Sequence, residues 1–210
     1  MRSEPTERTV EVPRTARYFV RGDAEGASEV WVLLHGYGQL ARDFLDSCQA
    51  LARPGRLLVA PEGLSRFYVK GFFEAPGASW MTSEARLGEV RDYVRYLDAV
   101  MEDLGGPDNV SILGFSQGAA TASRWAALGR VKPTRLICWA GDVAHDIPLD
   151  ALASVPVTMV LGEKDKLLTK AHRVEALARL DATDVAYRVE RFDGGHRLDD
   201  ETLRRISAAD

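Results

Sequence analysis

Residues 110–128 join two different periodicities at one sharp point, and few folds accommodate such a junction. Val110 to Phe115 is an apolar run with β-branched residues, which reads as a buried strand. Gln117 to Leu128 is rich in Ala and closed by Gly129, which reads as a helix. Between them lies Gly114-Phe115-Ser116-Gln117-Gly118, a G-x-S-x-G pattern. In a strand–turn–helix setting this pattern holds the serine in a strained backbone region, with its hydroxyl raised above the end of the sheet. The helix beginning at Gln117 directs its free N–H groups and positive dipole end at charge developing beside Ser116. The plain alternative is a serine in an ordinary strand-to-helix turn, because short Gly/Ser patterns also arise by chance.

The rest of the chain repeats the strand–helix alternation. Strands are expected at Glu29–Leu34, Arg56–Ala60, Thr134–Trp139, Val155–Leu161 and Val185–Phe192. Helices are expected at Arg42–Leu51, from a Thr82 or Ser83 cap to Leu104, at Thr169–Leu180 and at Asp199–Ile206. Thr9–Val12 and Arg17–Val20, separated by Pro13, suggest an antiparallel hairpin at a sheet edge. Leu64–Trp80 mixes Gly, Pro and aromatic residues without a clean period and reads as a long loop over the sheet's end. The expected fold class is therefore α/β, a single domain over residues 1–210. A mostly parallel central sheet carries helices on both faces, with an N-terminal antiparallel hairpin and no separate cap domain. Ligands of such sheets collect outside the carboxyl ends of the strands, where the polar and Gly-rich tips of this chain fall.

Composition narrows the function classes. The 210 residues carry a net charge of only −4, unclustered, with 46% hydrophobic and 28% charged residues. That leaves no electrostatic footprint for nucleic acid, and no apolar run approaches the length of a membrane span. Cys48 and Cys138 are far apart in apolar segments, so buried free thiols are expected rather than a disulfide or a cysteine metal site. The default expectation is a cytoplasmic protein without a metal or cofactor. Its partner is a small-molecule substrate, with no nucleic acid and no stable membrane insertion, and a homodimer is left open.

A serine hydroxyl is a weak nucleophile unless a base takes its proton and an acid orients that base. His196, after a strand and two glycines, is the favoured base. His145 is the lesser alternative, and His172 reads as a solvated helix residue. Asp165, in the loop after the penultimate strand, is the favoured acid, with Asp142 and Asp193 as alternatives. The oxyanion of an acyl-transfer intermediate needs two donors. The backbone N–H of Gln117 is one, and that of Tyr37, in His35-Gly36-Tyr37-Gly38, is the other. His35 itself reads as an anchor for its own loop.

From Val30 to His196 the assembled pattern resembles α/β-hydrolases of the phospholipase/carboxylesterase group, which includes the acyl-protein thioesterases. The matching pieces are Leu34-His35-Gly36-Tyr37-Gly38, Ala60-Pro61-Glu62-Gly63, Ser79-Trp80, Gly114-Phe115-Ser116-Gln117-Gly118, Gly162-Glu163-Lys164-Asp165 and Gly195-His196. The resemblance implies a serine hydrolase of carboxylic esters, without carrying over a thioesterase or phospholipase specificity; the aromatic Leu64–Trp80 roof favours short to medium acyl groups, and the same chemistry extends to thioesters. Ser116 would be its nucleophile, Asp165 its acid, His196 its base, and Tyr37 and Gln117 its oxyanion donors. It also implies that Trp80, and by position Met81, lie near the acyl group. Gln39 stands where relatives often have Asp, and Met81-Thr82 replace an aromatic residue and an Asp. The rival reading from another class is a non-catalytic small-ligand-binding module on the same fold.

Overall fold

Strand β2 (Glu29–Leu34) alternates its side chains between two cores, which makes the architecture layered. Val30, Val32 and Leu34 belong to one buried cluster, Trp31 and Leu33 to another. Period-2 alternation with apolar residues on both faces requires cover on both sides of the sheet. In the computed structural model, which describes residues 4–208, the remaining strands are β1 (Tyr18–Arg21), β3 (Arg56–Pro61), β4 (Ser65–Tyr68), β5 (Pro76–Ser79), β6 (Val110–Phe115), β7 (Arg135–Trp139), β8 (Val157–Gly162) and β9 (Tyr187–Phe192). The helices are α1 (Ala41–Ser47), α2 (Arg86–Asp103), α3 (Gln117–Leu128), α4 (Lys170–Asp181) and α5 (Asp200–Ala208).

Seven strands form one sheet in the order β1-β3-β2-β6-β7-β8-β9. β1 runs antiparallel to β3, and every other neighbouring pair is parallel. Phe44 and Leu45 of α1 and Leu203 and Ile206 of α5 cover one face. Tyr93, Val94 and Leu97 of α2, Ala122 and Trp125 of α3, and Ala176 and Leu180 of α4 cover the other. The expected mostly parallel sheet between two helical layers is thus what the chain adopts.

Three local expectations give way. Thr9–Val12 forms no strand: Val10 and Val12 are 84% and 73% exposed, with nothing to pack against. The expected hairpin is replaced by β1 alone, paired with β3 from Tyr18↔Pro61 to Arg21↔Leu58. The 64–80 segment is not a loop throughout: its two flanks, β4 and β5, form a second, two-stranded antiparallel sheet around an irregular 69–75 connection. Helix α2 starts from Ala85, in the left-handed region at φ 48°, and not from a Thr82 or Ser83 cap. The Thr82 hydroxyl and N–H bond to Glu84 and Glu89 instead.

At the amino-terminal end of the sheet, buried Glu29 accepts from Trp31 Nε1 at 2.7 Å, Arg53 at 2.8 Å, Arg56 at 2.8 Å and Arg135 at 2.7 Å. The Arg56 and Arg135 guanidiniums also lie 4.8 and 4.7 Å from the Trp31 ring. A buried carboxylate is tolerated because every lone-pair direction meets a donor.

Candidate active site

The turn between β6 and α3 is built by close approach. A Cβ on Gly114 would stand 2.1 Å from Gly118 O, and one on Gly118 would stand 2.1 Å from Leu34 O. Only glycine lets the first turn of α3 press so tightly on β6 and β2. Ser116 sits at the apex with φ 54° and ψ −116°, an uncommon region for a non-glycine residue. Its backbone is fixed on both sides: Ser116 N donates to Trp139 O at 2.8 Å, and Ser116 O accepts from Ala119 N at 3.0 Å. The Ser116 side chain does not cap α3. Its Oγ lies 2.9 Å from His196 Nε2.

His196 Nδ1 in turn lies 2.8 Å from Asp165 Oδ2. The other Asp165 oxygen accepts from the N–H groups of Leu167 at 2.8 Å and Leu168 at 3.0 Å. Burial pushes the Asp165 carboxyl up, but bonds from Leu168, His196 and Leu167 outweigh it, and the group ends below its ordinary range. An ionised Asp165 favours the proton on Nδ1, which leaves Nε2 free to accept from the Ser116 hydroxyl.

The loops carrying the acid and the base are strapped together. Glu163 N donates to Phe192 O at 3.0 Å and Lys164 N to Gly194 O at 2.9 Å. Lys164 also pairs with Asp193 at 2.6 Å, and the Phe115 ring lies 5.0 Å from the imidazole. The lesser candidates are engaged elsewhere. Asp142 accepts from Arg179 at 3.0 Å and lies 3.0 Å from His145 Nε2, and Thr169 caps α4 beside His172.

Two backbone N–H groups near the serine are left over: that of Gln117, the next residue, and that of Tyr37, next to Gly36. Among the described residues, no hydrogen bond takes up the N–H of Tyr37 or of Gln117. Gly36, beside Tyr37, packs directly on the serine. Its carbonyl lies 2.8 Å from His35 Nδ1, and His35 Nε2 accepts from Gly63 N at 2.9 Å. Burial holds the fully enclosed His35 below the ordinary histidine range, so it serves as a neutral strut for this loop.

Two glutamine side chains, which sequence reasoning did not assign, brace the segments that carry these two N–H groups. Gln39 Oε1 accepts from Gly36 N at 2.7 Å. Its backbone bridges to Ala78 of β5, with Ala78 N donating to Gln39 O at 3.1 Å and Gly38 N to Ala78 O at 2.9 Å. Gln117 Oε1 accepts from Trp80 N at 3.1 Å, and its Nε2 donates to Met81 O at 2.8 Å. The β4–β5 hairpin is thereby bonded to the Gly38–Gln39 loop and to the Gln117 side chain. A polar residue in a Gly-rich loop, as Gln39 is, was the available signal.

Trp80 and Met81, expected beside the substrate, are 1% and 8% exposed and belong to the core. Trp80 Nε1 donates to His35 O at 2.8 Å, and its ring lies 5.0 Å from the His35 ring. A large apolar ring with one N–H is best placed where both are satisfied, and here that is beneath the loops. These two residues shape the scaffold of the site rather than its surface. Among the described residues, no group of three or more His, Cys, Asp or Glu side chains is placed to hold a metal ion, and no helix is long and apolar enough to cross a membrane.

A parallel sheet with a nucleophile elbow after its central strand, and an acid and a base on later strand tips, is the arrangement of an α/β-hydrolase. A family model described as serine hydrolase (FSH1) matches residues 29–202, so the chain belongs to the FSH1 serine hydrolase family. The chain is similar in fold to esterase PE8, at 24% identity over 93% of this chain and 97% of that one, with TM-score 0.70. A carboxylesterase from Mesorhizobium loti is similar at 21% identity, over 93% and 95%, with TM-score 0.73. Acyl-protein thioesterase 2 of Zea mays is similar at 17% identity, over 92% and 99%, with TM-score 0.71. A comparison with curated protein sequences finds no match.

Proposed function

We propose that the protein hydrolyses carboxylic esters through an acyl-enzyme on Ser116, with His196 as base and Asp165 as its orienting acid. The observation that carries this reading is the unbroken chain from Ser116 Oγ through His196 to Asp165, at 2.9 and 2.8 Å. Ser116 Oγ attacks the ester carbonyl carbon as its proton passes to His196 Nε2. The tetrahedral oxyanion meets the N–H groups of Tyr37 and Gln117 at the positive end of α3. Collapse breaks the bond to the leaving oxygen, which takes the proton from His196 and departs as alcohol. A water then gives a proton to His196 and attacks the acyl carbon, releasing the acid and restoring the Ser116 hydroxyl.

Short to medium acyl groups and thioesters are the substrates that this reading favours, in line with fold neighbours described as carboxylesterases and an acyl-protein thioesterase. Two free buried cysteines support a cytoplasmic site of action. The test is turnover of p-nitrophenyl acetate by the wild type and by Ser116→Ala. A loss of at least about a thousand-fold in kcat supports the assignment, and equal rates overturn it. A series of p-nitrophenyl esters of rising chain length, with one thioester, then fixes the acyl preference.

A further inference from the structure

The parallel strands also have amino-terminal ends, and there a cavity of about 500 Å³ opens, a size typical of small-molecule sites. It crosses the starts of β2, β6, β7, β8 and β9, which are consecutive neighbours in the sheet. Four inter-strand steps make it roughly 19 Å long. The length of β6 separates it from Ser116 by roughly 20 Å, so its contents do not touch the reacting atoms.

The walls are cationic although the chain as a whole carries net charge −4. Glu29 is the one acidic residue in the lining, and its two oxygens already accept from Trp31, Arg53, Arg56 and Arg135. It therefore repels an incoming anion little and offers a cation nothing further. Arg53 bonds Glu29 through one Nη and leaves about half of its side chain exposed. Arg188, on β9, leans across β8 through an Nε bond to Thr158 Oγ1 at 3.1 Å. Among the described residues, no carboxylate pairs with Arg188. Arg135 is committed to Glu29 and Ser111 and is not counted as an available donor. Between the two guanidiniums the apolar lining of the floor comes from Pro156 and Ala186, at the starts of β8 and β9.

We propose that this cavity is a second binding site, taking an organic anion with a phosphate or carboxylate group on an elongated apolar body. Guanidinium forks match the paired oxygens of either group, and the apolar floor accepts a ring or chain that inorganic ions lack. The site does not depend on the hydrolytic reading, because it shares no residue with the Ser116 rim.

Binding is measured by titration calorimetry with AMP and with 2-naphthoate, against adenosine and inorganic phosphate as partial probes. The expected result is saturable binding of at least one of the two organic anions, at least ten-fold tighter than adenosine or phosphate. The two arms separate phosphate from carboxylate recognition. Arg188→Glu, at an exposed position, should weaken that binding at least ten-fold while leaving the thermal midpoint and ester turnover unchanged. Ala186→Trp, which fills the floor, should weaken it by a second route. Ser116→Ala should bind as the wild type does. The proposal is overturned by no saturable binding of either anion, by equal binding in Arg188→Glu, or by loss of binding in Ser116→Ala, which would move the ligand to the opposite rim.

Discussion

Gly36 and Ser116 approach so closely that a Cβ on the glycine would stand 3.3 Å from the serine Cβ, 3.0 Å from the Phe115 ring and 3.1 Å from Gln39 Oε1. The loop and Ser116 are thus set so tightly that a methyl group would make its neighbours give by a few tenths of an ångström. Gly36→Ala should push the Tyr37 N–H away from the reacting carbonyl and lower kcat by about 10–100-fold, as small misplacements in active sites do. The circular dichroism spectrum should stay native. An unchanged kcat would show that the Tyr37 segment does not serve the reaction.

Gln39 provides the second expectation. Its Oε1 fastens the Gly36 N–H at 2.7 Å, and its backbone joins the loop to Ala78. Gln39→Ala keeps the backbone bridge and removes the fastening, so kcat should fall about ten-fold, the scale of one hydrogen bond, with KM little changed. Gln39→Glu retains an acceptor oxygen and should recover most of the rate. Failure of that rescue, measured by steady-state kinetics on both variants, would count against this role.

Asp165→Asn should cost about 10³–10⁴-fold in kcat, because the amide no longer stabilises the imidazolium or selects the tautomer. Wild-type Asp165 lies below the ordinary carboxylate range, so it stays ionised through mildly acid pH. Under the proposed mechanism an acid-side loss of activity is therefore expected to come from the base of the relay and not from Asp165. A pH–rate profile with no acid-side decline would contradict that assignment.

The strands and the three site side chains were legible because both are set by local pattern and direction. β2, β3, β6 and β8 are buried along their whole length, so their sequences are largely apolar runs; Ser116 and Asp165 follow β6 and β8, and His196 follows the alternating β9. What escaped is what distant contacts decide. Thr9–Val12 alternates like a strand, but the free edge of β3 is taken by Tyr18–Arg21. β4 and β5 are four residues each, too short to announce themselves, and they are held by Gln39, Ala78 and the Gln117 side chain. Trp80 was placed at the substrate by resemblance, yet the bond from its indole to His35 O draws it beneath the loop.

Glu29 gives the chain a pH-dependent stability. Burial raises its carboxyl, but bonds from Trp31, Arg56, Arg53 and Arg135 prevail and hold it at about 2, against an ordinary 4.5. A depressed carboxylate contributes fully above its unfolded value and loses that contribution as pH falls toward its folded one. Glu29→Gln should lower the neutral-pH thermal midpoint by roughly 10 °C, since it strands buried guanidiniums. The gap between variant and wild type should close between pH 4.5 and 2. A constant gap across that range in thermal melts would refute the account.

Cys48 and Cys138 are both fully buried, and burial pushes each thiol far above its ordinary range. Native protein should show no reaction with Ellman's reagent over minutes, and two thiols should react in guanidinium chloride. Rapid labelling of the native state would place at least one of them at a surface.

Strand polarity gives the molecule a division of labour from end to end. The proposed chemistry gathers where β6, β8 and β9 finish, and the buried Glu29–arginine lattice gathers where β2 and β7 begin. Retuning the ester preference and hardening the protein against heat therefore call on separate sets of residues, and an engineer could pursue either aim without surrendering the other.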